Sequence, residues 1–390
     1  MSLRNASVTL AVVLGGCQIP SANIPDYDRP LPWGADALIP LGPNEERPSL
    51  GHVWLERESV RRPLERSLGW TRLKTSSAYF PMAGITHERA LRSLERFAEL
   101  LEETDGPEEF ERALRAEFQV YRSAGWDGRG GGVLFTGYCT PVLEGGRART
   151  AEYRHPLYAL PPDLEKAPDG TILGQRTEAG IRPYPTRQAI EANRLLAGQD
   201  LELVWLRDPI DAFIAHVNGS AIVELPDGSE ERFGYAGKNG RAYTSLGEEL
   251  VKDGFITSQD LNLLSIRRWA RENPGLVAEY LGRNDSFVFF TPIDGNPRGS
   301  LNVEVSAHRT LATDKSLFPR GAITFVDTNL PLANGGRATF RQLMFDQDTG
   351  GAIRTAGRAD IYLGIGRDAE RRAGATRSEG QLYYLFLKEG

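Results

Sequence analysis

Residues that commonly bind metals or carry redox chemistry are scarce in this chain. Two cysteines, Cys17 and Cys139, and five histidines, His52, His87, His155, His216 and His308, are spread over 390 residues. Two distant cysteines make no disulfide framework, and neither a CxxC nor an HxxxH pair is present, so no zinc signature forms. Neither a metal nor an organic cofactor is expected. A GxSxG elbow is missing, which removes the usual mark of a serine hydrolase. Gly364-Ile365-Gly366 is a lone GxG, too little to argue for a nucleotide. An excess of base is missing too: 46 Lys and Arg against 52 Asp and Glu give a net charge of −6, without the footprint of a nucleic-acid binder. No internal repeat of the solenoid kind appears.

Turn formers, by contrast, are plentiful: 42 glycines and 24 prolines favour many turns and short strands over long helices. The length suits two domains. Aromatic residues make up 9% of the chain, enough to line a polymer-binding groove, although core positions account for most of them.

The N-terminus reads as a short export signal. Arg4 supplies the charge, and Val8 to Leu14 is an apolar run too short to span a bilayer. Leu14-Gly15-Gly16-Cys17 resembles a lipobox, in which the cysteine becomes lipidated; the alternative is a buried N-terminal strand. Residues 18–50, with Pro20, Pro25, Pro30, Pro32 and Pro40, read as a tether or extended arm. Leu91, Leu94, Phe97, Leu100 and Leu101 recur at helical spacing after a capping Thr86 and predict a helix over 87–103. Phe110, Leu114, Phe118 and Tyr121 predict a second one over 108–122.

Residues 143–286 read as a separate, inserted β-rich unit. The run from Glu202 through Ile256 is expected to alternate strand and turn, with Pro226-Asp227-Gly228 as a hairpin turn. Further helices are expected after Pro185, over 243–251 and over 264–274, the last ended by Pro274. Short strands follow at 287–290, 303–305, 322–326 and 382–387, which point to a small barrel. The second domain is thus assembled from 51–142 and 287–390.

Two carboxylates in the C-terminal part stand out. Asp348 precedes the turn signal Thr349-Gly350-Gly351, and Asp360 opens the apolar run Ile361-Tyr362-Leu363. The Gly-containing loop between them could fold back and bring both to one end of a sheet. A carboxyl that starts an apolar strand is partly desolvated, which raises its pKa and suits a general acid. Spacing alone also allows a turn former and a strand-edge charge. Asp314 and Asp368 are lesser candidates of structural character. Arg367, Arg371 and Arg372 form a small basic cluster that reads as solvated surface or, less often, as a hold for an anionic peptide or lactyl group.

Taken together, FTGYCTP (135–141), YAGKNG (235–240), YTSLG (243–247) and QDTGGAI…AD-Y-GIG (347–366) resemble the motifs of the membrane-bound lytic murein transglycosylase A family. The resemblance covers about Pro81 to Leu387. It implies a mainly β fold with some helix: a six-stranded double-psi β-barrel, an inserted second β-barrel-like domain, and a groove between them. It implies a substrate, the glycan strands of peptidoglycan, and cleavage of the β-1,4 bond after N-acetylmuramic acid without water, leaving 1,6-anhydromuramoyl ends. By position Asp360 maps to the single catalytic acid/base, and Asp348 to the other motif aspartate. Thr136, Thr140, Asn218, Gly219, Ser220 and Lys238 map to the substrate groove; Asn218 stands where the family commonly shows a glutamine. Cys139 replaces a tyrosine of the family motif. The resemblance also implies a periplasmic protein held to the outer membrane of a Gram-negative bacterium, by a lipid only if Cys17 is modified, with cell-wall synthases or scaffolds as possible partners. The competing reading is a non-catalytic peptidoglycan-binding or wall-loosening module, or a scaffold.

Overall fold

The computed structural model describes residues 25–167, 171–258, 260–332 and 335–389; the expected lipobox at Cys17 lies outside them. Six strands form a closed ring: β1 (Val133–Thr140), β2 (Thr310–Ala312), β3 (Ile323–Pro331), β4 (Arg337–Asp348), β5 (Arg358–Ile365) and β6 (Arg377–Leu387). Around the ring the order is β6-β3-β4-β2-β5-β1, and β1 pairs back onto β6. The β2–β4 and β5–β1 pairs are parallel and the other four antiparallel. Closure removes the free edges that an open sheet would expose.

The strand sequences show why the ring is covered on both sides. In β6, Leu382, Tyr384 and Phe386 belong to one apolar cluster, while Tyr383, Leu385 and Leu387 face another. In β4, Met344 joins the first and Leu343 and Phe345 the second. Side chains alternate faces along a strand, so one set fills the barrel and the other packs under helices. These strands therefore read as continuous apolar runs, as strands buried on both faces do.

Helices cover the outer cluster. The helix His87–Glu103 forms as expected: the Thr86 hydroxyl accepts from Arg89 N at 3.2 Å, and Leu94, Phe97, Leu100 and Leu101 are buried. The next one, Pro107–Glu117, stops before the expected Arg122. Phe118–Ser123 is a strand instead, paired with β6 on one side and with Leu38–Pro40 on the other. Phe118 and Val120 are buried, with the less buried Gln119 between them: the strand period had passed for a helical stripe. The Leu38–Pro40 pairing also corrects the tether, because Ala37, Leu38, Leu41 and Leu50 are core residues. A helix over Arg57–Thr71, which the reading of the sequence did not anticipate, buries Val60, Leu64 and Leu68 against β4 in spite of Pro63. The strand expected at 303–305 is reduced to a single bridge between Arg298 and Glu304.

The inserted unit holds a six-stranded sheet in the order Val288–Pro292, Glu230–Lys238, Ala221–Glu224, Val142–Gly146, Glu202–Leu206 and His155–Tyr158. Ala221–Glu224 and Glu230–Lys238 form the hairpin expected around Pro226-Asp227-Gly228. Part of the stretch expected as strand and turn is a helix, Pro209–Asn218. Asp208 caps it by accepting from Ile210 N at 2.7 Å, Pro209 opens it, and Gly219 ends it at φ 66°. Ile210, Phe213 and Ile214 pack on Leu246, Leu250, Trp269 and Tyr280.

Candidate active site

Strand β2 brings the two aspartates together. Its Ala312 lies opposite Asp348 of β4 on one side and opposite Asp360 of β5 on the other. Two inter-strand steps separate them, about 10 Å between Cα atoms. The 349–357 loop thus returns the chain across the short β2, as its glycines allow.

Both carboxylates are half-buried, and burial pushes both pKa values up from the ordinary aspartate value. Their hydrogen bonds differ. Asp348 accepts from the Tyr138 hydroxyl, Ser300 N and Thr349 N, each at 2.8 Å. These three donors and the Lys315 charge oppose the effect of burial. Among the described residues, Asp360 accepts from the Thr136 hydroxyl alone, assisted by the charge of Arg358. Each donor to a carboxylate favours the charged form. More donors thus favour the charged form of Asp348 than of Asp360, while burial raises the pKa of both.

Thr136 lies opposite Asp360 on the parallel strand β1. Tyr138, two residues on, presents its hydroxyl to Asp348 and its ring to Tyr362, 5.1 Å between centroids. Burial raises the Tyr138 phenol well above its ordinary value, reinforced by the charges of both aspartates. It bonds Asp348 and feels the Asp360 charge, a place the reading of the sequence missed although the residue lies inside FTGYCTP at period 2 from Thr136. Thr140 departs from the expected sugar contact. The register shifts between Tyr362 and Ile365, Thr140 is fully buried, and its hydroxyl bonds that of Tyr362 at 2.9 Å. Asp314 accepts from Ser316 N in a turn, and Asp368 pairs with Arg371 on the surface.

Behind Asp348 stands a buried ion pair. Asp346, with no exposed surface, accepts from Lys315, from the Thr313 hydroxyl and from the Tyr384 hydroxyl, the last at 2.8 Å. Hydrogen bonds from several donors are what allow such a pair to exist in a barrel interior.

The inserted unit reaches this end of the barrel. Tyr243 packs on Gly351, where an added Cβ would lie 3.4 Å from the tyrosine Cβ. Its phenol, raised to about 12 by burial first and Glu248 next, also feels the Asp360 charge. Asn218 does not offer a free amide: Oδ1 accepts from Cys139 N at 3.3 Å and Nδ2 donates to Ile214 O at 2.9 Å, so it ties the insert to β1. Gly219 is the left-handed residue after the helix, and Ser220 is buried. Lys238 ends its strand half-buried, and burial and the neighbouring Arg354 lower its pKa. No cluster of possible metal ligands occurs among the described residues. A cavity of about 540 Å³ opens at a different seam, lined by Glu144, Arg207, Asp211, Arg267, Arg367 and Glu370 among others; neither aspartate lines it.

Comparison with known proteins agrees with this layout. The family model of the MltA specific insert domain matches residues 134–291, and that of the 3D domain matches residues 309–386. The chain is 34% identical to membrane-bound lytic murein transglycosylase A of Escherichia coli K12 over 266 residues, 67% of each chain. It is 33% identical to the protein of that name from Vibrio cholerae over 282 residues, 71% of this chain and 72% of the other. The crystal structure of a membrane-bound lytic murein transglycosylase from Agrobacterium tumefaciens is similar at a TM-score of 0.73 and 26% identity, covering 90% of this chain and 98% of that one. That of E. coli MltA with bound chitohexaose is similar at 0.65 and 26%, covering 94% and 97%. A closed six-stranded barrel carrying the two motif aspartates, an insert between its first and second strands, and this extent of shared sequence place the chain in the membrane-bound lytic murein transglycosylase A family.

Proposed function

We propose that the protein is a lytic transglycosylase that cleaves the β-1,4 bond between N-acetylmuramic acid and N-acetylglucosamine in peptidoglycan, with Asp360 as its only acid/base. The observation that carries this reading is the contrast between the two half-buried carboxylates: among the described residues Asp348 has three hydrogen-bond donors and Asp360 one. Ordinary glycosidases need two carboxylates, the second to attack the sugar or activate water. Here the C6 hydroxyl of the muramoyl sugar attacks its own C1, so the nucleophile comes with the substrate at high effective molarity. Asp360, protonated at rest, gives its proton to the glycosidic oxygen as the C1–O bond breaks. As a carboxylate it then takes the proton from the C6 hydroxyl, which closes the 1,6-anhydro ring and restores the acid. Asp348, whose three donors favour its charged form, steadies the positive charge that develops at C1.

The family relatives are named membrane-bound, and among the described residues no helix is long and apolar enough to cross a membrane. A periplasmic enzyme anchored through a lipidated Cys17 fits both.

The test is digestion of purified sacculi with mass analysis of the products. Wild-type protein is expected to release muropeptides with anhydro ends, and Asp360→Asn to release them about 1,000-fold more slowly. Near-normal release by that variant would remove Asp360 from its role. Reducing muramic ends would identify a hydrolase instead.

A further inference from the structure

Residues 297–305 fold into a tight hairpin against the end of β4. Val305 N donates to Pro297 O at 3.0 Å, Gly299 N to Val303 O at 2.9 Å, and Asn302 N to Gly299 O at 2.8 Å. Asn302 turns the tip in the left-handed conformation, φ 57°, which asparagine adopts more readily than most residues. The tip lies on Gln347-Asp348: Leu301 N donates to Gln347 O at 3.3 Å and Ser300 N to Asp348 Oδ1 at 2.8 Å. Gly299 leaves no room for a side chain. A Cβ there would stand 2.8 Å from Gln347 O and 3.0 Å from the carboxyl carbon of Asp348.

The helix Arg57–Thr71 holds both partners of this contact. Arg66 pairs with Glu304 of the hairpin and donates to Ser306 Oγ at 2.7 Å. Gln347 donates Nε2 to Pro63 O at 2.7 Å and to Ser67 Oγ at 3.0 Å. Leu301, buried, anchors the tip between them. The other groups around Asp348 are the Tyr138 hydroxyl, the Thr349 N–H, the Lys315 charge, and Tyr362 and Asp360 on β5. The side chains among them can rotate or titrate, and Thr349 moves with Asp348 as its neighbour in the chain. Ser300 N–H does neither, and it comes from 48 positions away.

We propose that the 297–305 hairpin is a positioning element of the reaction: Gly299 lets its tip close on Asp348, and the Ser300 N–H fixes that carboxylate in orientation and in its charged form. This rests on the role given to Asp348 above. A backbone donor set in place before the substrate arrives needs no rearrangement when charge develops at C1, and a donor to a carboxylate favours the anion. Gly299 and Ser300 act through Asp348 and not on the sugar.

Three variants of the full chain separate the backbone donor from the side chain. Ser300→Ala removes an exposed hydroxyl and keeps the N–H. Ser300→Pro removes the N–H. Gly299→Ala keeps it but pushes the tip off Asp348. With soluble glycan strands, Ser300→Ala is expected to stay within about twofold of wild type at every pH. A carboxylate short of a donor holds its proton to higher pH, so the other two should lose kcat mainly at low pH. The expected loss is about tenfold below the optimum, the worth of one hydrogen bond to a charged group, and less than about threefold above it. A second readout is independent of activity. With the aspartates labelled with ¹³C at Cγ, and Asp348 assigned through Asp348→Asn, its carboxyl should titrate at higher pH in Ser300→Pro and Gly299→Ala than in Ser300→Ala. Equal titration in all three, or a loss of kcat that is the same at every pH, overturns the proposal. Should Ser300→Pro fail to fold, Gly299→Ala decides by the same titration. Wild-type protein that yields no anhydro product while the titrations differ as expected overturns the transglycosylase reading alone.

Discussion

Asp348 and Asp360 carry the same side chain into different surroundings, and the difference has a pH consequence. Burial, the larger influence, raises the Asp360 pKa against the Thr136 hydroxyl and Arg358. The folded state therefore holds that proton more tightly than the unfolded chain does. Stability from this group is complete below the ordinary carboxyl value of about 3.9 and is lost as pH rises through the folded value. Asp360→Asn cannot ionise, so its melting temperature should gain on wild type as pH climbs from about 4 towards 7. A calorimetric series in which the two curves stay parallel would rule this out. Activity should show the same sense, falling above the folded pKa as the acid form is depleted. Asp360 stood out because it opens an apolar run, but only the family resemblance marked it as the acid/base. The burial of Thr140 was not, since a register shift one strand away turns it into the wall.

At the scale of elements, the Pro209–Asn218 helix shows how a local signal can mislead. Its end, His216-Val217-Asn218-Gly219-Ser220 with Ala221-Ile222-Val223 after it, is rich in β-branched and turn residues, yet the helix is fixed by Asp208 and Pro209 in front and by packing on Trp269 and Tyr280. Gly219 is what lets the chain leave the helix for the next strand, at φ 66°. An added methyl meets nothing closer than Tyr235 at 3.8 Å, so Gly219→Ala should cost only the left-handed backbone penalty, about 1 kcal/mol, seen as a lower urea midpoint with an unchanged slope. A loss several times larger would mean that contacts, and not backbone conformation, set the requirement. Pro63 shows packing overriding a local preference: proline usually breaks a helix interior, but Val60, Leu64 and Leu68 at helical spacing bury enough surface on β4 to hold Arg57–Thr71 together.

For the whole molecule, the question is what fixes the insert against the barrel. Arg267, on the insert helix Leu263–Glu272, bonds Asp211 of the insert and, at 2.7 Å, Glu370 on the barrel-side helix Gly366–Ala375. Burial raises the Asp211 pKa, with Arg267 opposing it. Arg267→Met would strand two partly buried carboxylates and should destabilise by about 2 kcal/mol, the lower end for losing one partner of a buried pair. Hydrogen exchange should quicken in Gly366–Ala375 and Pro209–Asn218 together. Exchange that quickens in only one of them would show that the arginine serves that unit alone.

Local order determined much of this protein. The periods of the 87–103 helix, the hairpin at Pro226-Asp227-Gly228 and the Asp-before-apolar pattern at 360 depend on neighbours within a few residues, and such neighbours set capping, turn type and alternation. Only the tertiary structure decided that Ala312 stands between Asp348 and Asp360, that the Tyr138 hydroxyl bonds Asp348, and that Tyr243 packs on Gly351. Those juxtapositions follow from strand register and ring closure, which depend on pairings between residues tens to hundreds of positions apart. A one-residue slip in any of them would turn the same side chains to the opposite face.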